Sequence, residues 1–224
     1  MNEARPVSSN QHGPHEDTVA VVERHLNTVF KKPFQEHNLR AFEEINAQVE
    51  DWKGPVILDS CCGVGESTAK LAAQHPDAMV IGVDKSAHRL ARHSHYQNNE
   101  KGQRYWVVRA DLIDFWRLAN QANWTLEKHC ILYPNPWPKA SHLSRRWHGS
   151  PVWKDVVELG GHLHMRSNWS LYLLEVTQAL MVSGCQAQVS LVKNDEEIMT
   201  PFERKYKASG QPLWQLDADL SKET

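Results

Sequence analysis

The sequence predicts a doubly wound α/β domain built on a mainly parallel, seven-stranded sheet. Three observations predict it. Short apolar runs at 56–60, 79–83, 105–110 and 129–133 alternate with stretches of helical periodicity, and parallel neighbours need such crossovers. The first run ends in an acid and a glycine turn, Asp59-Ser60-Cys61-Cys62-Gly63-Val64-Gly65, where bare backbone and a following helix N-terminus suit a nucleotide-like ligand. The second run ends in Asp84, the place of a ribose-binding acid.

Taken in order, residues 1–15 are polar, with Pro6, Gly13 and Pro14, and read as a flexible arm. An amphipathic helix begins at Glu16-Asp17-Thr18, carries Val19, Val22, Leu26, Val29 and Phe30, and is stopped by Pro33. A second helix runs from His37 to Val49 on Leu39, Phe42, Ile45 and Val49. Residues 1–52 thus form an N-terminal arm with helices, and 53–224 the main domain. Within it the helices are predicted at 66–75, 86–98 and 112–121. A long polar loop, 134–150, precedes a helix at 151–158 that Gly160-Gly161 breaks. A strand at 162–167, a helix at 169–181, a strand at 186–192, a helix through 200–206 and a last strand at 212–216 complete the chain.

With 224 residues, 41% hydrophobic and 23% charged, the composition excludes wholesale disorder. No apolar run nears the ~20 residues that span a bilayer, and Met1–Pro6 begins no signal peptide, so a cytoplasmic protein with no membrane contact is expected. Cys61, Cys62, Cys130 and Cys185 form no C-x-x-C pair and read as buried thiols. The net charge is only −2, but residues 85–148 hold 11 Lys/Arg against 4 Asp/Glu, a phosphate-attracting segment if it folds beside the site. Monomer and homodimer both stay open.

Ligands of such sheets bind beyond the carboxyl ends of the strands, and these ends are polar here: Asp59, Asp84, Asp111, Asn135 and Asn168. Each could also cap the next helix. A nicotinamide fold would place a third glycine three residues after Gly65, where Thr68 stands. An acid at 59 can accept from a cationic amine, one at 84 can hold a ribose diol, and Asp111 can bind an adenine amino group. Those demands fit S-adenosylmethionine. The loop Pro134-Asn135-Pro136-Trp137-Pro138-Lys139, followed by Arg145 and Arg146, joins a proline-stiffened aromatic face to cations, as a platform for a nucleic-acid base would. His162 and His164 share a strand face, but without a third ligand at recognisable spacing no metal site is expected.

The strand-four loop, P-N-P-W-P-K-A-S-H-L-S-R-R, resembles the P-D-P-W-x-K-x-R-H-x-K-R-R of the bacterial tRNA (guanine-N7)-methyltransferase family. The resemblance continues through Gly160-Gly161-His162-Leu163-His164 into Ser167-Asn168-Trp169, and through Thr200-Pro201-Phe202-Glu203, where the family has T-x-F/Y-E. It covers about residues 55–216. It implies a class I, Rossmann-like methyltransferase fold, S-adenosylmethionine as cofactor and tRNA as partner. The family's cofactor positions fall on Asp59, Asp84, Asp111 and Asn135, with Gly63 and Gly65 in the turn. Its substrate positions fall on Lys139, Asn168, Thr200, Phe202 and Glu203, to which the loop adds Trp137, Arg145 and Arg146. Asn135 is the expected catalytic position.

Two departures stand out: 135 and 168 are Asn where the family has Asp. Guanine N7 offers a lone pair and needs no general base, so alignment carries the chemistry. An amide keeps one acceptor and loses the charge that would stabilise a methylated, cationic base. Both amides are expected to orient a base through their carbonyl oxygens. An exocyclic amine, small-molecule or protein substrate, or an RNA-binding scaffold that has lost turnover, stays open as an alternative.

Overall fold

The strands β1 (Val56–Ser60) and β2 (Met79–Asp84) are buried at every position, which is why each reads as an unbroken apolar run. Successive residues of β1 feed opposite layers: Leu58 packs with Ile81, Val83, Phe115 and Trp116 on one face, and Ile57 with Val80, Leu71 and Leu132 on the other. The remaining strands are β3 (Tyr105–Arg109), β4 (Lys128–Leu132), β5 (His162–Ser167), β6 (Ala187–Leu191) and β7 (Trp214–Asp219). The computed structural model describes residues 4–95 and 104–221. It arranges the sheet in the order β3-β2-β1-β4-β5-β7-β6, parallel except for β7, which runs antiparallel to both β5 and β6. The order reverses between β1 and β4, so the crevice for a ligand opens at the carboxyl ends of those two strands.

The helices are α1 (Thr18–Leu26), α2 (Glu36–Asp51), α3 (Glu66–Gln74), α4 (Ala87–Leu90), α5 (Leu112–Gln121), α6 (Trp153–Glu158), α7 (Ser170–Val182) and α8 (Pro201–Ala208). Val22, Phe42 and Ile45 place α1 and α2 in the same core as α5 and α7, so the N-terminal extension is packed into the main layer. The α3 helix and Tyr206 of α8 lie with the opposite core.

Several boundaries differ from expectation. The first helix ends at Leu26, with Asn27 as its C-cap, rather than reaching Phe30. The helix predicted at 86–98 is a single turn, α4, followed by a 3-10 turn at His93–His95, and its predicted end at 96–98 lies outside the described residues. The loop at 134–150 winds into 3-10 turns at Ala140–Arg145 and Trp147–Gly149. The last strand extends to Asp219, since pairing with β5 on one side and β6 on the other satisfies its backbone.

The arm is the largest difference. Residues 4–15 are not loose but strapped across the sheet's carboxyl end. Ser9 donates to the Pro138 carbonyl at 2.6 Å, Asn10 accepts from the Ala140 N–H at 3.0 Å, and Gln11 and the His15 N–H reach Glu175 of α7 at 2.9 Å. The Ala4 N–H donates to Ser209 after α8. Isolated polar side chains make these bonds, so periodicity carries no trace of them.

Candidate active site

The turn after β1 is built by positive φ at Cys61, Gly63 and Gly65. A Cβ on Gly63 would meet only the Cys61 carbonyl at 4.0 Å, so that backbone is open to a ligand. Gly65 differs. A Cβ there would lie 2.3 Å from the His93 ring, whose Nδ1 is 3.1 Å from the Val64 carbonyl. The volume that a side chain would take at Gly65 is filled by His93, so glycine is needed there for the left-handed turn and for this packing. The close helix–strand approach that a third glycine would give comes from the strand side, because Gly82 of β2 lies against Thr68.

Asp59 is fully buried. Its Oδ2 accepts from Ser67 at 2.6 Å and Thr68 at 2.7 Å, while Oδ1 has no partner. Desolvation lifts its carboxyl to about 6, with the two hydroxyls pulling the other way. A buried acceptor left unused is costly, and a donor from a cationic ligand would relieve it. Asp84 accepts from the Gly63 N–H at 3.1 Å and the Ser86 N–H at 2.8 Å, which ties the glycine turn to the end of β2. Arg89, half exposed, also reaches Asp84 at 3.1 Å and sits where ribose hydroxyls would compete.

Asp111 caps α5 by accepting from the Ile113 N–H at 2.9 Å. Its backbone is fixed by Asn38 of α2, which accepts from the Asp111 N–H at 3.0 Å and donates to Asp114 at 2.6 Å. A pocket of about 120 Å³ opens here, lined in part by Asn38, Lys85, Ala110 and Asp111. The N-terminal extension therefore supplies a wall of this subsite, a role for Asn38 that no local motif announces.

Across the crevice, Pro134 and Asn135 follow β4. Trp137 adopts φ +46° and donates its N–H to Asn135 Oδ1 at 3.3 Å, an Asx-type turn. The Asn135 side-chain oxygen thus accepts from the loop's own backbone, which leaves the NH₂ group of this exposed residue as its donor, whereas the sequence expectation was presentation of the oxygen. Arg145 lies over the Trp137 ring at 4.8 Å, and His142 meets the same ring edge-on. Lys139 and Arg145 are exposed beside this platform.

Arg146 is not exposed at all, which corrects the expectation that it contacts substrate. It pairs with Glu175 at 2.5 Å, bonds Gln11, and donates to the Trp137 and Lys139 carbonyls at 3.1–3.2 Å. Burial pushes Glu175 up, but hydrogen bonds from His148 and Arg146 overcome it and hold the carboxylate at about 2. Arg146 therefore fixes the loop that carries the platform, and Glu175 fixes Arg146.

The Thr200–Glu203 segment has a similar inward part. Thr200 caps α8 by accepting from the Glu203 N–H at 3.0 Å, and Glu203 reaches back to the Met199 N–H at 2.9 Å, a capping-box pairing shifted by one residue. Glu203 also pairs with Arg166 of β5 at 2.7 Å and is 1% exposed. Both were expected at the substrate; both instead anchor the helix, and only Phe202, stacked near Tyr206, is presented outward. Asn168, directly after β5, is half-buried on the same rim as Asn135, and donates to Gln211 at 2.9 Å.

Among the described residues, one group could ligate a metal: His162, His164 and Asp217. The two ring nitrogens lie 2.9 and 2.7 Å from one Asp217 oxygen, closer than the ~3.3 Å edge of a tetrahedral zinc site. Arg166 donates to His164 Nε2 at 3.2 Å, so Nδ1 carries the proton and donates to Asp217. This is a hydrogen-bonded clasp between β5 and β7.

Cys62 and Cys130 are buried, Cys61 and Cys185 half-buried, and all four are free. No helix among the described residues is long and apolar enough to cross a membrane.

Comparison with known proteins identifies the family. A tRNA (guanine-N(7)-)-methyltransferase of Thiobacillus denitrificans is 27% identical over 175 residues, covering 72% of this chain and 74% of that protein. Proteins of the same name from Stutzerimonas stutzeri and Pseudomonas aeruginosa are 25% and 26% identical, covering 80% and 77% of this chain and 76% of each relative. Among solved structures, the 16S rRNA methyltransferase KamB superposes with a TM-score of 0.60 at 15% identity, over 85% of this chain and 96% of that one. The antibiotic-resistance methyltransferase Kmr gives 0.56 at 20% identity, over 82% and 94%. Those two likenesses concern the fold, the class I, Rossmann-like arrangement described above. The family model Methyltransf_4, described as "Putative methyltransferase", matches residues 53–216. Because that match spans well over half of the sequence, the chain belongs to this methyltransferase family.

Proposed function

We propose that this protein transfers the methyl group of S-adenosylmethionine to N7 of a guanine in tRNA, acting in the cytoplasm. The observation that carries the reading is the crevice between β1 and β4, which has a row of strand-end acids on one side and an aromatic, cationic platform on the other. On the first side Asp59 Oδ1 is a buried acceptor without a partner, Gly63 leaves its backbone open, Asp84 closes the turn at the end of β2, and Asp111 lines a pocket held by Asn38. Asp59, Asp84 and Asp111 fit an ammonium, a ribose and an adenine respectively. On the second side Trp137, braced by Arg145, offers a stacking face, and Lys139 and Arg145 offer phosphate contacts. Several relatives named tRNA (guanine-N(7)-)-methyltransferases support the same substrate.

The bound cofactor would supply an electrophilic methyl on a sulfonium. The protein's part is alignment: the N7 lone pair forms the new C–N bond as the C–S bond breaks, and no proton moves at N7. Asn135, with its NH₂ turned out by the Trp137 turn, can donate to guanine O6, and Asn168 can accept from the N1–H and N2–H edge. Incubation of tRNA with the protein and methyl-labelled cofactor, followed by mass spectrometry of the nucleosides, should place the label in 7-methylguanosine. Label absent from every tRNA base would defeat the proposal.

A further inference from the structure

Asn168 can present either face of its amide to a base, and the two faces have opposite meanings. Guanine N1–H and N2–H are donors, so an outward carbonyl oxygen binds them, whereas an outward NH₂ would oppose donor to donor. Something must choose the face. In the structure Asn168 Nδ2 donates to Gln211 Oε1 at 2.9 Å, and among the described residues Asn168 Oδ1 has no hydrogen-bond partner. Gln211 has the same ambiguity, and it is resolved in turn: its Nε2 donates to the Ala4 carbonyl at 2.7 Å. Ala4 is itself 5% exposed and pinned through its N–H to Ser209. Two hydrogen bonds in series therefore run from the N-terminal strap to the rim, and a third, to Ser209, anchors the strap residue.

We propose that Gln211 is a positioning residue that fixes Asn168 as an acceptor for the guanine edge, with the strap residue Ala4 setting the orientation of Gln211. This deepens the methyl-transfer reading and rests on it for the identity of the base. It also explains how an amide can stand at 168. A carboxylate is an acceptor whichever way it turns, whereas an amide needs an orienting partner.

Two measurements separate this inference from the function beneath it. In ligand-free protein, the side-chain NH₂ resonances of Asn168, assigned by their loss in Asn168→Asp, should shift and lose exchange protection in Gln211→Leu but much less in Gln211→Glu, which still accepts. No change in Gln211→Leu overturns the positioning contact, whatever the protein's substrate. In methyl transfer to tRNA, Gln211→Leu should lower kcat/KM roughly five- to tenfold, as expected for one lost orienting hydrogen bond, and Gln211→Glu should recover most of the loss. The decisive arm is the double variant. In an Asn168→Asp background, adding Gln211→Leu should change kcat/KM by less than twofold, because the carboxylate needs no orienting. Equal losses in both backgrounds overturn the inference and leave methylation intact. Wild-type protein that methylates no tRNA overturns the function, and the resonance measurement still decides the contact.

Discussion

If Asp59 receives the cofactor's ammonium as proposed, its burial makes cofactor binding depend on pH. Its carboxyl is raised from 3.8 to about 6 because burial removes water from the charged form. At 1.36 kcal/mol per unit, holding this carboxylate ionised in the ligand-free fold costs about 3 kcal/mol. A cationic amine at Oδ1 offsets that cost only when Asp59 is ionised, so below pH 6 each binding event must first release a proton. The sign follows: a raised acid favours the ligand-free fold as pH falls from 6 towards 3.8, and disfavours cofactor binding over the same range. The ionised fraction falls about tenfold between pH 7 and pH 5, and the dissociation constant for S-adenosylmethionine should rise by about the same factor. Titration calorimetry in buffers of different ionisation enthalpy should also detect about half a proton released per cofactor at pH 6. Asp59→Asn should bind weakly and without that pH dependence, while its thermal stability above pH 7 should match or exceed wild type. A wild-type affinity that is flat from pH 7 to pH 5 would refute the reasoning.

Two further outcomes are expected. Arg145→Met and Arg146→Met, adjacent in sequence, should separate cleanly: the first weakens tRNA binding in a gel-shift titration and barely moves the melting temperature. The second removes the buried cation that faces Glu175 and the carbonyl contacts that fix the loop, costs roughly 3–5 kcal/mol and lowers the melting temperature markedly. Gly65→Ala should cost roughly 1–3 kcal/mol, from its φ of +77° and the collision with His93, visible as a melting temperature several degrees lower; an unchanged value would show that His93 moves aside freely.

Much of the fold was legible because β1 and β2 lie in the sheet's middle and are apolar at every position, so burial on both faces is written directly into 56–60 and 79–83. The strand-end acids were legible for the same reason, since their positions follow from where the runs stop. What could not be read depends on partners distant in the chain. Arg145 and Arg146 look alike in sequence, yet Glu175, 29 residues further on, draws one of them wholly inward. Thr200 and Glu203 carry the spacing of a capping box, and that local signal competed with the resemblance to a substrate motif. The strap had no signal at all, because Ser9, Asn10 and Gln11 bond a loop and a helix more than a hundred residues away.

The same distinction between local and distant partners bears on the two asparagines. At 135 the partner is local: the Trp137 N–H, two residues on, takes the carbonyl oxygen, so the turn itself makes Asn135 a donor. At 168 the partner is 43 residues away and is held by residue 4, so the acceptor face exists only in the fully folded chain with its strap in place. In the proposed reading, one amide turned each way would set a donor against O6 and an acceptor against N1–H, the order guanine presents and the reverse of adenine's. Neither amide supplies the negative charge that an aspartate would set against a methylated base. Discrimination at this rim therefore rests on hydrogen-bond polarity, and polarity at 168 rests on a segment whose composition marks it only as a polar arm.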